Sequence, residues 1–226
     1  MDGSELKSRA KQIFAEQRGN SILAVLLMFA GTFACSFPGQ ILSSIGNRMI
    51  MNGDNSGSIW SLAGSIVTLL LQIFLLYAFL VGMQKFFLDA QKGKPQSAVP
   101  YATEFIPSHS KSMGMAIFGT GLYIGLWSLL FVIPGILKGL SWSQVGFILA
   151  ENPDMTGKEA RALSEKMMKG HRMEYFMLNL SFIGWIFLSL FTFGILMIVY
   201  VEPYMLHTFA GYHNELKAQM PDGESM

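Results

Sequence analysis

Long apolar stretches without a charged side chain dominate this sequence. From Gly19 to Ile45 every side chain is uncharged, and a helix of that length exceeds the roughly 30 Å thickness of a bilayer's hydrocarbon core. Hydrophobic residues make up 51% of the 226 residues and charged residues only 14%, which is more apolar surface than a soluble domain of this size can bury. The sequence therefore predicts an all-α, polytopic transmembrane helical bundle.

The apolar stretches predict six spans. Their expected positions are residues 19–45, 59–87, 113–133, 136–150, 174–191 and 194–213. Pro38 marks either a kink in the first span or its outer end. Pro134 and Gly135 predict a tight hairpin between the third and fourth spans, with a single kinked helix as the alternative. The segment between the second and third spans is expected to be a loop, because Pro100 and Pro107 disfavour a long regular helix.

Loop charge decides between the hairpin and the kinked helix. With six spans, 14 of the 16 Lys and Arg residues fall on the cytoplasmic side, and only Arg48 and Lys138 remain outside. The cytoplasmic set is Lys7, Arg9, Lys11, Arg18, Lys85, Lys92, Lys94, Lys111, Lys158, Arg161, Lys166, Lys169, Arg172 and Lys217. Fusing the two spans would nearly remove this bias, so the positive-inside rule favours six spans with both termini in the cytoplasm.

Two further helices are expected outside the hydrocarbon core. Residues 1–18 have apolar and basic faces, which predicts an amphipathic helix at an anionic membrane surface. Thr156 and Glu159 have capping-box spacing and open a second helix, at about 156–170, along the cytoplasmic surface. The predicted organisation is thus an interfacial helix at 1–18, one transmembrane domain at 19–216 and a frayed tail at 217–226.

The segment from Trp127 to Tyr204 resembles an uncharacterised bacterial integral-membrane family, catalogued as domain of unknown function nine hundred and seventy-five. The residues that carry the resemblance are Ile133-Pro134-Gly135-Ile136 with Lys138, Ile148 to Pro153, Ser164, Met168-Lys169-Gly170, Ser181 to Trp185 and Pro203-Tyr204. The resemblance implies a multi-pass protein of a bacterial inner membrane. It implies no reaction, ligand or catalytic residue.

Glu202 is the most unusual residue of the predicted sixth span. A carboxylate several residues inside a span costs a few kcal/mol on insertion scales, so a compensating charge is expected. Lys138 is predicted at a similar depth from the same outer side. We therefore expect a Lys138–Glu202 ion pair, which either joins two helices or, with Pro203 loosening the backbone, forms a proton or cation site.

Other polar residues within the apolar segments are expected to face the bundle interior. They are Ser141, Ser143, Gln144, Asn179 and His207. Such residues either line a substrate path or form hydrogen bonds between helices, each worth about 1 kcal/mol. Their pattern alone favours the hydrogen bonds.

No motif for catalysis, cofactor binding or metal binding occurs in the sequence. His207, His213 and Glu215 do not share one helical face, so no metal site is predicted there. The net charge of +1 argues against a nucleic-acid partner. Cys35 is the only cysteine and is expected to be a small core residue of a retained helix.

Two functions remain for such a chain. The first is a non-enzymatic accessory or interaction protein of the inner membrane, including a protective role in envelope stress, whose basic face meets anionic lipid. The second is a small transporter or channel that uses Glu202 and the polar residues of the fourth span. A polar cavity that reaches Glu202 would favour the transporter, whereas a dry bundle would favour the accessory protein.

Overall fold

The computed structural model describes residues 3–93, 97–104, 106–130 and 132–220, and these residues form helices joined by short turns. The helices are α1 (Gly3–Glu16), α2 (Arg18–Met51), α3 (Gly57–Leu71), α4 (Tyr77–Gln91), α5 (Ala98–Glu104), α6 (Ile106–Leu130), α7 (Val132–Ser141), α8 (Val145–Glu151), α9 (Gly157–Met167), α10 (Arg172–Leu180), α11 (Ile183–Leu190) and α12 (Glu202–Ala218). Two π-helical turns, Gln72–Leu76 and Met197–Val201, lead into α4 and α12. The described part contains no strand, so the expected all-α class is confirmed.

Five helical stretches among the described residues are long and apolar enough to cross a membrane. They are Arg18–Met51, Gly57–Gln91, Lys111–Leu129, Val132–Glu151 and Arg172–Leu190. The stretch predicted as a sixth span, residues 194–213, is not among them. It contains the Met197–Val201 π-turn and Glu202, and its second half is largely buried against other helices.

The first hairpin consists of α2 packed along α3 and α4. Glycines allow the close approach, because a Cβ on Gly39 would lie 2.4 Å from the Gly64 carbonyl oxygen and one on Gly64 would lie 2.5 Å from that of Gly39. Pro38 lies inside α2, which continues to Met51. The proline is therefore not the outer end of the first span.

The second hairpin consists of α6 and α7, as the Pro134-Gly135 pattern predicts. The chain reverses before Pro134, and a Cβ on Gly135 would lie 2.6 Å from Ser128 Cα. Gly121 and Gly125 of α6 have open space at the Cβ position, so these two glycines do not serve this contact.

The predicted proline loop before this hairpin contains helices. Pro100 is the third residue of α5 and Pro107 the second residue of α6. The first turn of a helix has no intrahelical acceptor for its N–H groups, so proline costs little there. Pro95 and Lys94 of the predicted loop lie outside the described residues.

The third hairpin pairs α10 and α11 with the last helix. Ring contacts run along it, from Tyr175 against Tyr212 (5.3 Å between centroids), through Phe182 against Tyr204 (5.3 Å), to Trp185 against Tyr200 (5.3 Å). The turn is made by Phe193, with φ 51°, and Gly194, with φ 81°.

Helix α1 forms as predicted, but protein covers its apolar face. Leu6, Ala10 and Phe14 are 3%, 1% and 4% exposed, and α1 packs mainly on α12. The Phe14 ring lies edge-on to Tyr200 at 5.7 Å. The apolar face of α1 is therefore not free to enter lipid, which corrects the expectation of an interfacial helix.

Helix α9 begins with the predicted capping box. Thr156 Oγ1 accepts from the Glu159 backbone N–H at 3.3 Å, and Glu159 Oε2 accepts from the Thr156 N–H at 2.9 Å. Gly170, with φ 89°, follows the end of the helix. The helix packs against α6 and α8. Lys158 and Lys166 of α9 are exposed, as is Lys169, which follows its end.

Candidate functional site

Charged and polar side chains gather where α1, the C-terminal end of α4, α8 and α12 meet, an end of the molecule that we call the base. Glu151, the last residue of α8, is the centre of this cluster. Its Oε1 accepts from Lys92 Nζ at 3.2 Å and its Oε2 from Lys217 Nζ at 2.6 Å. The Glu151 side chain is only 14% exposed, so a largely buried carboxylate joins α4, α8 and α12.

His213 extends this cluster into the core. Its Nε2 lies 3.6 Å from Glu151 Oε2, and its Nδ1 lies 3.1 Å from Gln144 Oε1. The ring stacks on Phe147 and is 1% exposed. The structure therefore buries His213 within the protein.

His207 forms a second polar contact, one helical turn and a half earlier in α12. Its Nε2 lies 2.8 Å from Ser21 Oγ of α2, and its backbone carbonyl accepts from Gln91 Nε2 at 2.8 Å. His207 and Ser21 are both fully buried, and the Phe87 ring stands edge-on to the imidazole at 4.9 Å. The contact therefore fixes α2, α4 and α12 to one another.

Lys138 is paired with an acid of α9. Its Nζ donates to Glu165 Oε1 at 3.0 Å, and the Arg172 guanidinium lies 3.9 Å from the same oxygen. The hydrogen bond from Lys138 holds the pKa of the Glu165 carboxyl below its usual value. The predicted ion pair between Lys138 and Glu202 is therefore wrong, and Lys138 pairs with Glu165 instead. This pair forms because α9 lies against α7.

Glu202 has no ion pair among those formed by the described residues. It is half-buried at the first position of α12, directly after the Met197–Val201 π-turn. It lines none of the five principal cavities of the described part of the chain. The structure therefore does not bring Glu202 together with Lys138 or with the polar residues of α7 and α8.

The remaining predicted interior residues make bonds inside the protein. Ser141 Oγ donates to the Leu137 carbonyl at 2.6 Å, while the Ser141 carbonyl accepts from Ser164 Oγ at 2.7 Å. Gln144 Nε2 donates to Ser143 Oγ at 3.0 Å. Asn179 Nδ2 donates to the Tyr175 carbonyl at 2.7 Å.

An open cavity of about 840 Å³ lies beside the Glu151 cluster. Its walls come from the end of α8, the turn that follows and one side of α9: Glu151, Asn152, Pro153, Asp154, Met155, Glu159, Ala162, Leu163 and Lys166. Across the described residues, no three His, Cys, Asp or Glu side chains come close enough to hold a metal ion. The chemistry of this region is that of a carboxylate neutralised by ammonium groups.

The Glu151 cluster was missed by the sequence reasoning. Glu151 was noted only as part of a resemblance motif, and its partners Lys92 and Lys217 are 59 and 66 residues away in the chain. No spacing rule links residues so far apart. The one available signal was an acid at the predicted end of a span, where a compensating charge from another helix is to be expected.

The second half of the chain matches a known protein family. A family model described as "Protein of unknown function (DUF975)" matches residues 101–220, which is more than half of the chain. The chain belongs to this family. The match extends beyond the Trp127 to Tyr204 resemblance at both ends and covers the second and third hairpins of this DUF975 protein. It includes Glu151, His213 and Lys217 of the Glu151 cluster but not Lys92. No curated protein and no solved structure matches it.

Proposed function

We propose that this DUF975 protein is a non-enzymatic accessory protein of a bacterial inner membrane, which stabilises or regulates membrane partners and protects the envelope under stress. The observation that carries this proposal is the use of the buried polar groups in its apolar segments. Ser141, Gln144 and His207 are at most 1% exposed. The Ser141 carbonyl accepts from Ser164 of α9, and the side chains of Gln144 and His207 bond to residues of other helices. Groups engaged in this way hold helices together and do not line an aqueous path.

The proposed orientation puts the base in the cytoplasm. Of the predicted outer residues, Lys138 contacts Glu165 of α9 and so joins the basic residues near the base. Among the described Lys and Arg residues, this leaves Arg48, in the last turn of α2, on the opposite side. Exposed basic residues on α1, on α9 and directly after it, such as Lys11, Lys158 and Lys169, support contact with anionic lipid.

A flux measurement tests this proposal against the transporter alternative. Purified protein in liposomes loaded with a pH-sensitive dye should give no proton or K⁺ flux above that of empty liposomes. The Glu202→Gln variant should behave like the wild type. Proton or K⁺ flux that is lost in Glu202→Gln would overturn the accessory role and favour a transporter that uses Glu202.

A complementation assay tests the proposed protective role. A strain lacking the gene should be more sensitive to membrane-perturbing agents, and plasmid-borne wild type and Glu202→Gln should restore resistance equally. Glu151→Gln, which removes the charge that joins three helices, should restore it poorly. Equal sensitivity of the deletion and parent strains would contradict the protective role.

A further inference from the structure

Two of the three hairpins end in apolar tips, and we propose that both tips lie inside the bilayer, among the acyl chains, without reaching the boundary opposite the base. At the second hairpin, Leu129, Val132 and Ile133 are 85%, 67% and 73% exposed. At the third, Phe191 and Phe193 are 74% and 98% exposed. The α2–α3 turn differs, because it carries Asn52, Asp54 and Asn55.

The reach of the third hairpin is limited by the Ser21–His207 contact. Both partners of His207 lie close to a charged residue in the sequence. Ser21 follows Arg18 by three residues, and Gln91, which also binds His207, directly precedes Lys92. This contact therefore lies at the membrane boundary near the base. From His207 to Phe193 the helix rises at most about 21 Å. Since the hydrocarbon core is about 30 Å thick, the tip ends well short of the opposite boundary.

The second hairpin is limited in the same way by α9. Exposed Lys158, Lys166 and Lys169 keep α9 out of the hydrocarbon core. Ser164 of α9 donates to the Ser141 carbonyl of α7, which places Ser141 at the depth of α9. From Ser141 to Val132 the helix rises only about 14 Å, or half of the core.

The first hairpin has no such limit. Measured from the same Ser21 contact, α2 continues to Met51, which is a rise of about 45 Å. Among the three hairpins, this one combines a reach beyond its anchoring contact that exceeds the thickness of the core with a polar turn that can meet water. The architecture is then two full spans and two hairpins that enter and leave on the side of the base.

The backbone of the third tip is suited to an environment without water. The N–H groups of Phe191, Thr192 and Phe193 bond to the carbonyls of Leu188, Ser189 and Leu190, and that of Gly194 bonds to Ser189. Ile195 N–H bonds to the Thr192 carbonyl, and Leu196 N–H to Thr192 Oγ1 at 3.1 Å. An unbonded N–H would cost several kcal/mol in lipid, and each of these six is bonded within the turn.

The same placement accounts for Glu202. It lies nine residues below Phe193, about 13 Å along the helix, and five residues above His207. With the Ser21–His207 contact at the boundary, Glu202 lies at most about 7.5 Å inside the core on the side of the base. There, water and headgroups can solvate a carboxylate that has no ion pair among the described residues. A full crossing would leave it deep in the core.

Cysteine accessibility tests the proposal directly. In a Cys35→Ser background, single cysteines are placed at the two tips (Leu129→Cys and Phe193→Cys), at the turn of the first hairpin (Asn55→Cys) and directly after α9 (Lys169→Cys). A membrane-impermeant maleimide is applied to intact cells and to inverted membrane vesicles. Asn55→Cys should react in cells and Lys169→Cys in vesicles, whereas both tip cysteines should react roughly tenfold more slowly in either. Ile195→Cys replaces Phe193→Cys if that variant does not fold.

Electron paramagnetic resonance then distinguishes lipid from protein around the tips. Nitroxides on the tip cysteines in liposomes should collide with oxygen far more often than with a water-soluble nickel chelate, as at the bilayer centre. Tip labelling in cells at the rate of Asn55→Cys would show a full crossing, and labelling in vesicles would show a tip in water. Either result would overturn the proposal. A nitroxide that collides with neither oxygen nor the nickel chelate would overturn it as well, because the tip would then be covered by protein.

Discussion

Lys138 Nζ lies 3.0 Å from Glu165 Oε1, which ties the returning helix of the second hairpin to the charged helix α9. Both side chains are partly exposed, at 30% and 42%, so water screens their attraction. The main effect of the pair is to fix where α9 lies along α7, and its contribution to the free energy of unfolding is small.

A double-mutant cycle with Lys138→Met and Glu165→Gln should give a coupling energy of about 0.5–1 kcal/mol, as for other partly exposed pairs. Unfolding in mixed detergent and denaturing micelles measures it. The matched cycle of Lys138→Met with Glu202→Gln should be additive. Coupling in the second cycle and none in the first would restore the pairing expected from the sequence.

The Lys138–Glu165 pair predicts how the free energy of unfolding depends on pH. The pKa of Glu165 is lower in the folded protein than its usual 4.5, so its stabilising contribution is complete above that value and is lost as pH falls through the lowered pKa. The difference in unfolding free energy between wild type and Glu165→Gln should therefore be constant from pH 7 to 5.5 and shrink below pH 4.5. A difference that grew on acidification would contradict the assigned hydrogen bond.

Glu151→Gln should destabilise the protein by about 1–3 kcal/mol, because Lys92 and Lys217 would lose their shared carboxylate beside the buried His213. Asp154→Asn is the control, three residues away and 94% exposed, and should change stability by less than about 0.5 kcal/mol. Thermal unfolding in detergent compares the two. Equal effects would mean that Glu151 does not join α4, α8 and α12.

Gly64→Ala should separate α2 from α3, since the new Cβ would lie 2.5 Å from the Gly39 carbonyl oxygen. We expect a loss of about 1–3 kcal/mol, as for other overpacked contacts. Gly121→Ala, in a helix with open space at that position, should be neutral or slightly stabilising. Similar losses in both variants would show that helix propensity and not interhelix distance governs the result.

Local patterns predicted what depends on local chemistry. Thr156 and Glu159 fixed the start of α9 because a capping box needs only residues three apart. The Pro134-Gly135 pattern predicted the second hairpin for a similar reason. The family was also predicted correctly from the sequence, because its motifs occur in order along the second half of the chain.

Tertiary partners and depth were not predictable in this way. Lys138 could pair with either of two acids, and the sequence predicted Glu202. Only the position of α9 in the structure shows that the partner is Glu165. Hydropathy gave a sixth apolar stretch but not the Ser21–His207 contact that limits how far it extends. The basic and apolar faces of α1 likewise suit a lipid surface or a protein groove equally well.

The packing of α1 on α12 joins two helices that lie about 200 residues apart in the sequence. Leu6 lies beside Gly211, where a Cβ would be 3.2 Å from the Leu6 side chain. At roughly 5–20 residues per second, translation of the intervening chain takes on the order of 10–40 s. During that interval the apolar face of α1 has no groove to cover it, so α1 can dock only after α12 has been made.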